Sequence, residues 1–292
     1  MTFEAKKCTM VKNSKSGEIM EYMKLNNDVV MPVLGLGTFL ANDDEGYEAV
    51  KSGIKVGYRH IDTAAIYRNE ESVGQAIKDS GVSRNEIFLT TKLWNEVMRT
   101  GNVQRAFEES LHKLGTDYAD LYLLHWPAGD YVKSWLDLEK IYKAGHARAI
   151  GVCNFQPHHL EDIKKVWSVV PAINQIELHP ELTQKPLRKI CDEFGIVVTA
   201  YSPLGGPNQA AQMLQNPTIA EISKKYNKTP AQIVLRWNID IGITTIPKSS
   251  NAKRLAENFD VFDFSLSPQD ISEIEALNKN KRVGYDPDNF DF

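Results

Sequence analysis

Asp62, Tyr67, Lys92 and His125 stand just past three consecutive short apolar runs of the chain, 58–61, 87–91 and 121–124. Singly, each has an ordinary explanation: a loop cap, a rim phenol, a solvated ammonium, a core imidazole. Together they form a set with a chemistry. A phenol has an unperturbed pKa of about 10 and is a poor acid near neutrality. An ammonium beside it favours the phenolate and lowers that value. A shift of about two units needs roughly 3 kcal/mol of differential stabilisation, within reach of one close, partly desolvated charge. A carboxylate behind the lysine keeps the ammonium charged and oriented. An imidazole beside the phenol can hydrogen-bond a substrate oxygen. The set is expected to deliver a proton from Tyr67 to a developing alkoxide. No side chain supplies a hydride, so a reduction also needs a cofactor.

Such a set acts only if the fold gathers it. From about residue 22 one pattern recurs: a short apolar run, polar residues at its end, a stretch with helical spacing, then glycine. Tyr47, Val50 and Ile54 precede Gly57, and Val103, Phe107, Leu111 and Leu114 precede Gly115. Leu138, Ile141 and Tyr142 precede Gly145, and Leu187, Ile190, Cys191 and Phe194 precede Gly195. These offsets place the apolar residues on one helix face, and glycine can take the left-handed conformation that ends a helix. Helix starts are expected at Asn69, Ser134 and Thr229-Pro230. The runs 33–35, 58–61, 87–91, 121–124, 149–152, 172–176, 197–200 and 243–245 read as eight strands apolar on both faces, as buried parallel strands are.

Eight strands alternating with helices predict an α/β fold, a (β/α)8 TIM barrel. An N-terminal β-hairpin is expected over 22–34, closing the barrel bottom. A doubly wound sheet would need G-x-G-x-x-G after its first strand. Gly35-Leu36-Gly37 is followed by Leu40 at the third glycine position, so that fingerprint fails. A barrel active site draws on the C-terminal ends of many strands. Strand ends here carry Gly37, Thr38 and Phe39, then Asp62 and Tyr67, Lys92, His125, Cys153 and Asn154, Gln175, Tyr201 and Ser202, and Lys248 and Ser249.

Composition narrows the partners. A net charge of −4 gives no basic field for nucleic acid. No apolar run approaches the roughly 18 residues of a membrane helix, and the N-terminus lacks the apolar core of a secretory signal. Cys8, Cys153 and Cys191 show no C-x-x-C spacing, which argues against a disulfide framework or a thiolate zinc site and for a reducing compartment. Residues 1–21 are expected to be a flexible extension ahead of a 22–292 barrel, in a cytoplasmic protein. His125 and His179 lack an H-E-x-x-H partner, and no metal is expected.

Seven motifs, in order, resemble the aldo-keto reductase superfamily: GYRHIDTAAIY (57–67), TKLW (91–94), LLHWP (123–127), GVCNF (151–155), NQIELHP (174–180), AYSPLG (200–205) and IPKS (246–249). The resemblance runs from about residue 22 to the end. It implies reduction of an aldehyde or ketone by NADPH, with Asp62, Tyr67, Lys92 and His125 as the catalytic tetrad. By the same resemblance Asn154 and Gln175 hydrogen-bond the nicotinamide carboxamide, Tyr201 stacks on the ring, and Ser202, Pro203, Leu204 and Gly205 run beside the pyrophosphate. Gly37, Thr38, Asp62, Cys153 and Ile246 belong to the same cofactor surface. Lys248, Ser249 and Arg254 match the family's 2′-phosphate binders, and Glu257 and Asn258 its adenine contacts. A forked, always-charged arginine with a lysine and a hydroxyl suits a phosphate, so NADPH is expected over NADH. Phe39, Trp94 and Trp126, with Tyr67 and His125, should line an apolar pocket for an uncharged carbonyl compound.

The chain departs from the family pattern at two places. Phe39 stands where many members carry Trp, and Cys153 where Ser is usual; a thiol hydrogen-bonds a carboxamide less well than a hydroxyl. The short loop 205–212 and the polar tail 278–292 resemble a microbial and protozoal branch, diketogluconate-reductase-like or prostaglandin F synthase-like. That branch takes small aldehydes, dicarbonyls, keto-sugars or prostaglandin H2. A monomer is expected. The alternatives are an NADPH-binding regulatory or structural barrel without significant turnover, and a Schiff-base aldolase using Lys92. The aldolase would need a neutral lysine, which an Asp62 partner opposes.

Overall fold

The computed structural model describes residues 9–13 and 20–292. Cys8 lies outside the described residues. The chain begins with an antiparallel sheet of β1 (Thr9–Asn13), β2 (Met20–Lys24) and β3 (Val30–Pro32). β2 and β3 form the expected hairpin, turned by bonds from the Leu25 N–H to the Val29 carbonyl (2.8 Å) and from the Asp28 N–H to the Leu25 carbonyl (3.0 Å). Residues 9–13, expected within a flexible extension, instead form β1, which pairs along its whole length with β2. The hairpin turn covers the bottom of the barrel. The Asn26 amide donates to the Pro171 and Gly195 carbonyls, and the Asn27 amide to the Arg148 carbonyl, all at the N-terminal ends of barrel strands.

Eight parallel strands follow in chain order: β4 (Leu36–Gly37), β5 (His60–Asp62), β6 (Phe88–Leu93), β7 (Ala119–Leu124), β8 (Ala147–Cys153), β9 (Ile173–Glu177), β10 (Val197–Tyr201) and β11 (Thr244–Thr245). The first and last edges meet. The Gly35 N–H donates to the Thr245 carbonyl (2.9 Å), the Thr245 N–H to the Val33 carbonyl (2.8 Å) and the Gly37 N–H to the Pro247 carbonyl (3.1 Å). The run expected at 33–35 therefore bonds the last strand, while 36–37 bond β5. The residues of β5, β6, β7 and β9 are buried throughout, as two-sided apolar runs require.

The helices are α1 (Asp43–Val56), α2 (Glu70–Asp79), α3 (Asn95–Thr100), α4 (Val103–Leu114), α5 (Tyr131–Lys143), α6 (Pro157–Lys164), α7 (Lys185–Glu193), α8 (Gly206–Leu214), α9 (Pro217–Tyr226), α10 (Pro230–Asp240), α11 (Ala252–Phe259) and α12 (Pro268–Glu275). Thr229 caps α10 in a reciprocal box with Gln232. Ser134 does not start a helix. α5 begins three residues earlier, where the Asp130 carboxylate accepts the Lys133 N–H. Asn69 precedes α2 but gives it no side-chain cap. Its amide instead ties Thr63 to the Thr38 and Ala41 carbonyls, bracing the loops after β4 and β5. The segment 205–212, read as a short loop, largely folds as α8. No helix among the described residues is long and apolar enough to cross a membrane.

Candidate active site

Strand order brings the four singled-out residues to one end of the barrel. Asp62 closes β5, Tyr67 ends a 3₁₀ turn (Ala65–Tyr67), Lys92 lies near the end of β6, and His125 follows β7. The Lys92 Nζ donates to Asp62 Oδ1 at 2.5 Å and to the Thr63 carbonyl at 2.9 Å. The other Asp62 oxygen accepts the Gln175 amide at 2.7 Å. Both ends of this ion pair are buried, with Lys92 at 0% and Asp62 at 2% exposure. The Lys92 ammonium lies 5.0 Å from the centre of the Tyr67 ring. His125 meets that ring edge-on with centroids 5.6 Å apart.

Burial decides the electrostatics. It works against the Lys92 ammonium, but the surrounding acidic groups, Asp62 first among them, together outweigh it and hold the lysine charged above its ordinary value. Burial and then Lys92 push the His125 imidazole well below the usual histidine range, so the ring is neutral. Tyr67 departs from the sequence expectation. The residue is half-buried, and desolvation, the largest influence on its phenol, raises it to about 12 although Lys92 pulls it down. Lys92 thus limits a rise rather than producing a net fall. Burial also pushes the Cys153 thiol up, and an uncharged thiol is a poor nucleophile.

The other proposed cofactor residues ring the same mouth. Asn154 stands in the left-handed region (φ 66°) just after β8. Its amide donates to the His125 carbonyl (3.1 Å), and its oxygen accepts the Tyr201 hydroxyl (2.8 Å). Gln175 accepts a weak Cys153 S–H contact at 3.8 Å. Both amides therefore already knit neighbouring strand ends together. Thr38 is buried and donates its hydroxyl to the Asp62 carbonyl. Ser202 is left-handed (φ 47°), and Pro203, Leu204 and Gly205 carry the turn into α8.

Residues 246–258 lie at the last strand's end and along α11. Ile246, Ser249 and Asn258 are buried, whereas Arg254 is exposed and Glu257 partly so. Arg254 touches Ser249 Oγ weakly at 3.5 Å and makes no ion pair among the described residues. Lys248 pairs with Glu45 of α1 at 3.0 Å. Hydrogen bonds from Ser250 and Lys248 hold the Glu45 carboxyl below the usual range. An anion thus already sits against Lys248, beside a hydroxyl and an uncommitted guanidinium, a donor set that fits a dianionic phosphate.

The proposed substrate walls also meet. Phe39, about half exposed, lies 5.1 Å from the Tyr67 ring, and Trp94 touches His125 edge-on at 5.3 Å. Sequence reasoning missed the roof. The tail, taken as polar, stacks Phe292 flat on Trp94 (5.8 Å, 2°) and places Phe290 5.0 Å from Trp126. The Asn95 amide and Arg99 guanidinium both donate to the Phe292 main-chain oxygen, at 3.2 and 2.7 Å. The signal for this roof was the aromatic set Tyr285, Phe290 and Phe292 in a stretch otherwise short of apolar residues.

Comparison with known proteins identifies the family. The model of the aldo/keto reductase family matches residues 33–279. The chain is 51% identical over 272 residues to a glyoxal reductase of Bacillus subtilis, covering 92% of this chain and 97% of that protein. It is 50% identical over 268 residues to a 9,11-endoperoxide prostaglandin H2 reductase of Trypanosoma cruzi, covering 91% and 94%. Among solved structures, a mutant form of Gox0644 in complex with NADPH superposes with a TM-score of 0.88 at 42% identity, covering 94% of this chain and all of that one. The chain belongs to the aldo/keto reductase family of NADP-dependent oxidoreductases.

Proposed function

We propose that this protein reduces small uncharged aldehydes or ketones, glyoxal-type dicarbonyls among them, to alcohols with NADPH, and that Tyr67 is the general acid. The carrying observation is the buried Lys92–Asp62 pair set 5.0 Å from the Tyr67 ring centre, with neutral His125 against that ring's edge. Lys248, Ser249 and Arg254 would hold the 2′-phosphate. Asn154, Gln175 and Tyr201 would hold the nicotinamide end, with Thr38 and Cys153 beside them, and Glu257 and Asn258 the adenine. The bound coenzyme supplies the hydride that no side chain can.

The chain's own residues handle the proton. A phenol at about 12 does not acidify a resting carbonyl. An alkoxide formed by hydride addition is about as basic as hydroxide, whose conjugate acid has a pKa of about 15.7. Proton transfer from Tyr67 becomes downhill once the hydride begins to move, which ties the two transfers together. Lys92 stabilises the phenolate left behind, and Asp62 keeps Lys92 charged. Neutral His125 donates one hydrogen bond to the substrate oxygen and fixes its direction. Phe39, Trp94 and Trp126 form apolar walls that favour an uncharged carbonyl compound. The buried free thiols of Cys153 and Cys191 suit a cytoplasmic setting, and we read the working unit as a monomer.

Tyr67→Phe tests the acid. Turnover of NADPH with glyoxal or 4-nitrobenzaldehyde should fall by about 10²–10⁴-fold, while NADPH still quenches tryptophan fluorescence with near-wild-type affinity. Carbonyl reduction at the wild-type rate would refute the assignment. Loss of both binding and turnover would point to a structural defect instead.

A further inference from the structure

The motif NQIELHP (174–180) supplies Gln175 to the site, but its Glu177 and His179 have no part in the chemistry above. Glu177 is wholly buried at the end of β9, directly opposite Tyr201 in the β9–β10 register. A buried carboxylate is costly unless its oxygens are satisfied, and three donors converge on this one. His179 Nε2 reaches Oε1 at 3.0 Å, the Val283 N–H donates to Oε1 at 2.6 Å, and the Gly284 N–H donates to Oε2 at 3.0 Å. Two of the three come from consecutive amides of the tail. The fit is close: a Cβ on Gly284 would stand 3.0 Å from Glu177 Oε2 and 3.7 Å from the Tyr201 hydroxyl. Val283 in turn lies over the turn into α8, where a Cβ on Gly206 would meet it at 3.4 Å.

The tail is therefore tied at two places. Glu177 holds 283–284 beside Tyr201, and Asn95 with Arg99 holds Phe292 beside Trp94. Between these ties Tyr285, Phe290 and Phe292 pack on one another and on Trp126. We propose that Glu177 is a positioning residue for the carbonyl substrate: its carboxylate fastens the tail to the floor of the site at Tyr201 and so fixes the aromatic roof over Trp94 and Trp126. The proposal rests on the reading that those two tryptophans line the substrate pocket. The side-chain contacts of Glu177 are with His179 and the tail amides, and it acts through the placement of 283–292. Replacing it with glutamine turns an acceptor edge into an N–H₂ group facing backbone donors, so at least one tail amide is left unpaired.

The test compares Glu177→Gln, Phe292→Ala, the double variant and Trp94→Ala in full-length protein, with 4-nitrobenzaldehyde as substrate. Glu177→Gln should raise KM by about fivefold or more, a loss of roughly 1 kcal/mol, with kcat within about twofold and the pH profile unmoved, since the tetrad is intact. Amide exchange at 283–284 should quicken while the barrel strands stay protected. Phe292→Ala should raise KM similarly, and the double variant should be little worse than either single, because both release one roof. Gly284→Ala, which crowds the same carboxylate without removing it, should give a smaller rise and serves if the glutamine variant folds poorly. An unchanged KM in both Glu177→Gln and Gly284→Ala, or KM effects that multiply in the double variant, overturns the proposal. If Trp94→Ala and Phe292→Ala also leave KM unchanged, the pocket reading falls with it. A KM shift in those two alone sinks only the role of Glu177.

Discussion

The mouth of the barrel and the segment 246–258 hold their polar groups in opposite ways. Asp62, Lys92 and Gln175 are buried and bonded to one another through short contacts. Lys248 and Arg254 stand at the surface, and the one strong partner there, Glu45, is itself partly exposed. In the buried mouth each neighbouring charge is weakly screened, and desolvation, the largest influence, with Asp62 carries the Tyr67 phenol to about 12 against the pull of Lys92. At the surface the same charges are screened and flexible. The mouth is preorganised for one proton transfer, whereas the outer segment must exchange partners to hold a ligand. Changes in the mouth should therefore alter rate by orders of magnitude, and changes outside should alter affinity by smaller factors.

The sharpest way to break that contrast is Lys92→Met. Lys92 is the nearest charge lowering the phenol, and its loss leaves burial and Asp62, which both raise it. The Tyr67 pKa should then move above about 12. Reduction uses the protonated phenol, which remains the dominant form across neutral pH, so that direction should lose rate without a new pH limb. Alcohol oxidation uses the phenolate, so its rise with pH should shift to higher pH. Reduction should fall by about 10²–10⁴-fold, read by steady-state rates between pH 6 and 10. Circular dichroism must accompany it, because Asp62 is left buried without its cation. An oxidative pH profile that does not move would show that Lys92 and Tyr67 are not electrostatically linked.

A smaller effect is expected at the outer segment. Lys248→Met should weaken NADPH by about tenfold or more, as losing a charge-assisted phosphate contact costs about 1.5–3 kcal/mol, and should leave NADH nearly unchanged. Glu45→Gln should act in the opposite sense. It removes the carboxylate that competes for Lys248, and the exposed pair is worth at most about 1 kcal/mol, so NADPH should tighten by no more than about fivefold. Fluorescence titration of both nucleotides decides. Equal losses for NADPH and NADH in Lys248→Met would remove the 2′-phosphate from this segment.

The same contrast explains what the sequence disclosed. Strands buried on both faces write themselves as apolar runs, so Asp62, Lys92 and His125 could be placed at strand ends before any fold was known. Thr229-Pro230 announced its helix because capping chemistry is local. The direction of the Tyr67 shift was not legible, because desolvation depends on what surrounds the hydroxyl, and no spacing encodes that. Ser134 misled because Asp130 offered a better cap one turn earlier. The roof stayed hidden for another reason. Tyr285, Phe290 and Phe292 are separated by Asp, Asn and Pro without helical or strand period, and their order comes from Glu177, Trp94 and Arg99, each roughly a hundred residues or more away. The Glu45–Lys248 pair likewise joins the first helix to the last strand's end.

The smallest expected effect lies at Cys153, inside the mouth beside Asn154 and Gln175. Its thiol is uncharged and reaches Gln175 Oε1 only at 3.8 Å, while the Asn154 amide donates to its sulfur at 3.3 Å. A hydroxyl in its place is a better donor and acceptor and occupies less of the pocket. Its shorter C–O bond draws it back from Gln175, so it keeps capacity for a carboxamide. Cys153→Ser should tighten NADPH by about two- to threefold, near the lower end of what one neutral hydrogen bond contributes, and should tighten NADH by the same factor, because the carboxamide is common to both. That shared factor separates this position from Lys248, whose substitution must distinguish the nucleotides. Unchanged affinity for both would mean that the side chain at 153 does not meet the nicotinamide, leaving Asn154 and Gln175 to hold it alone.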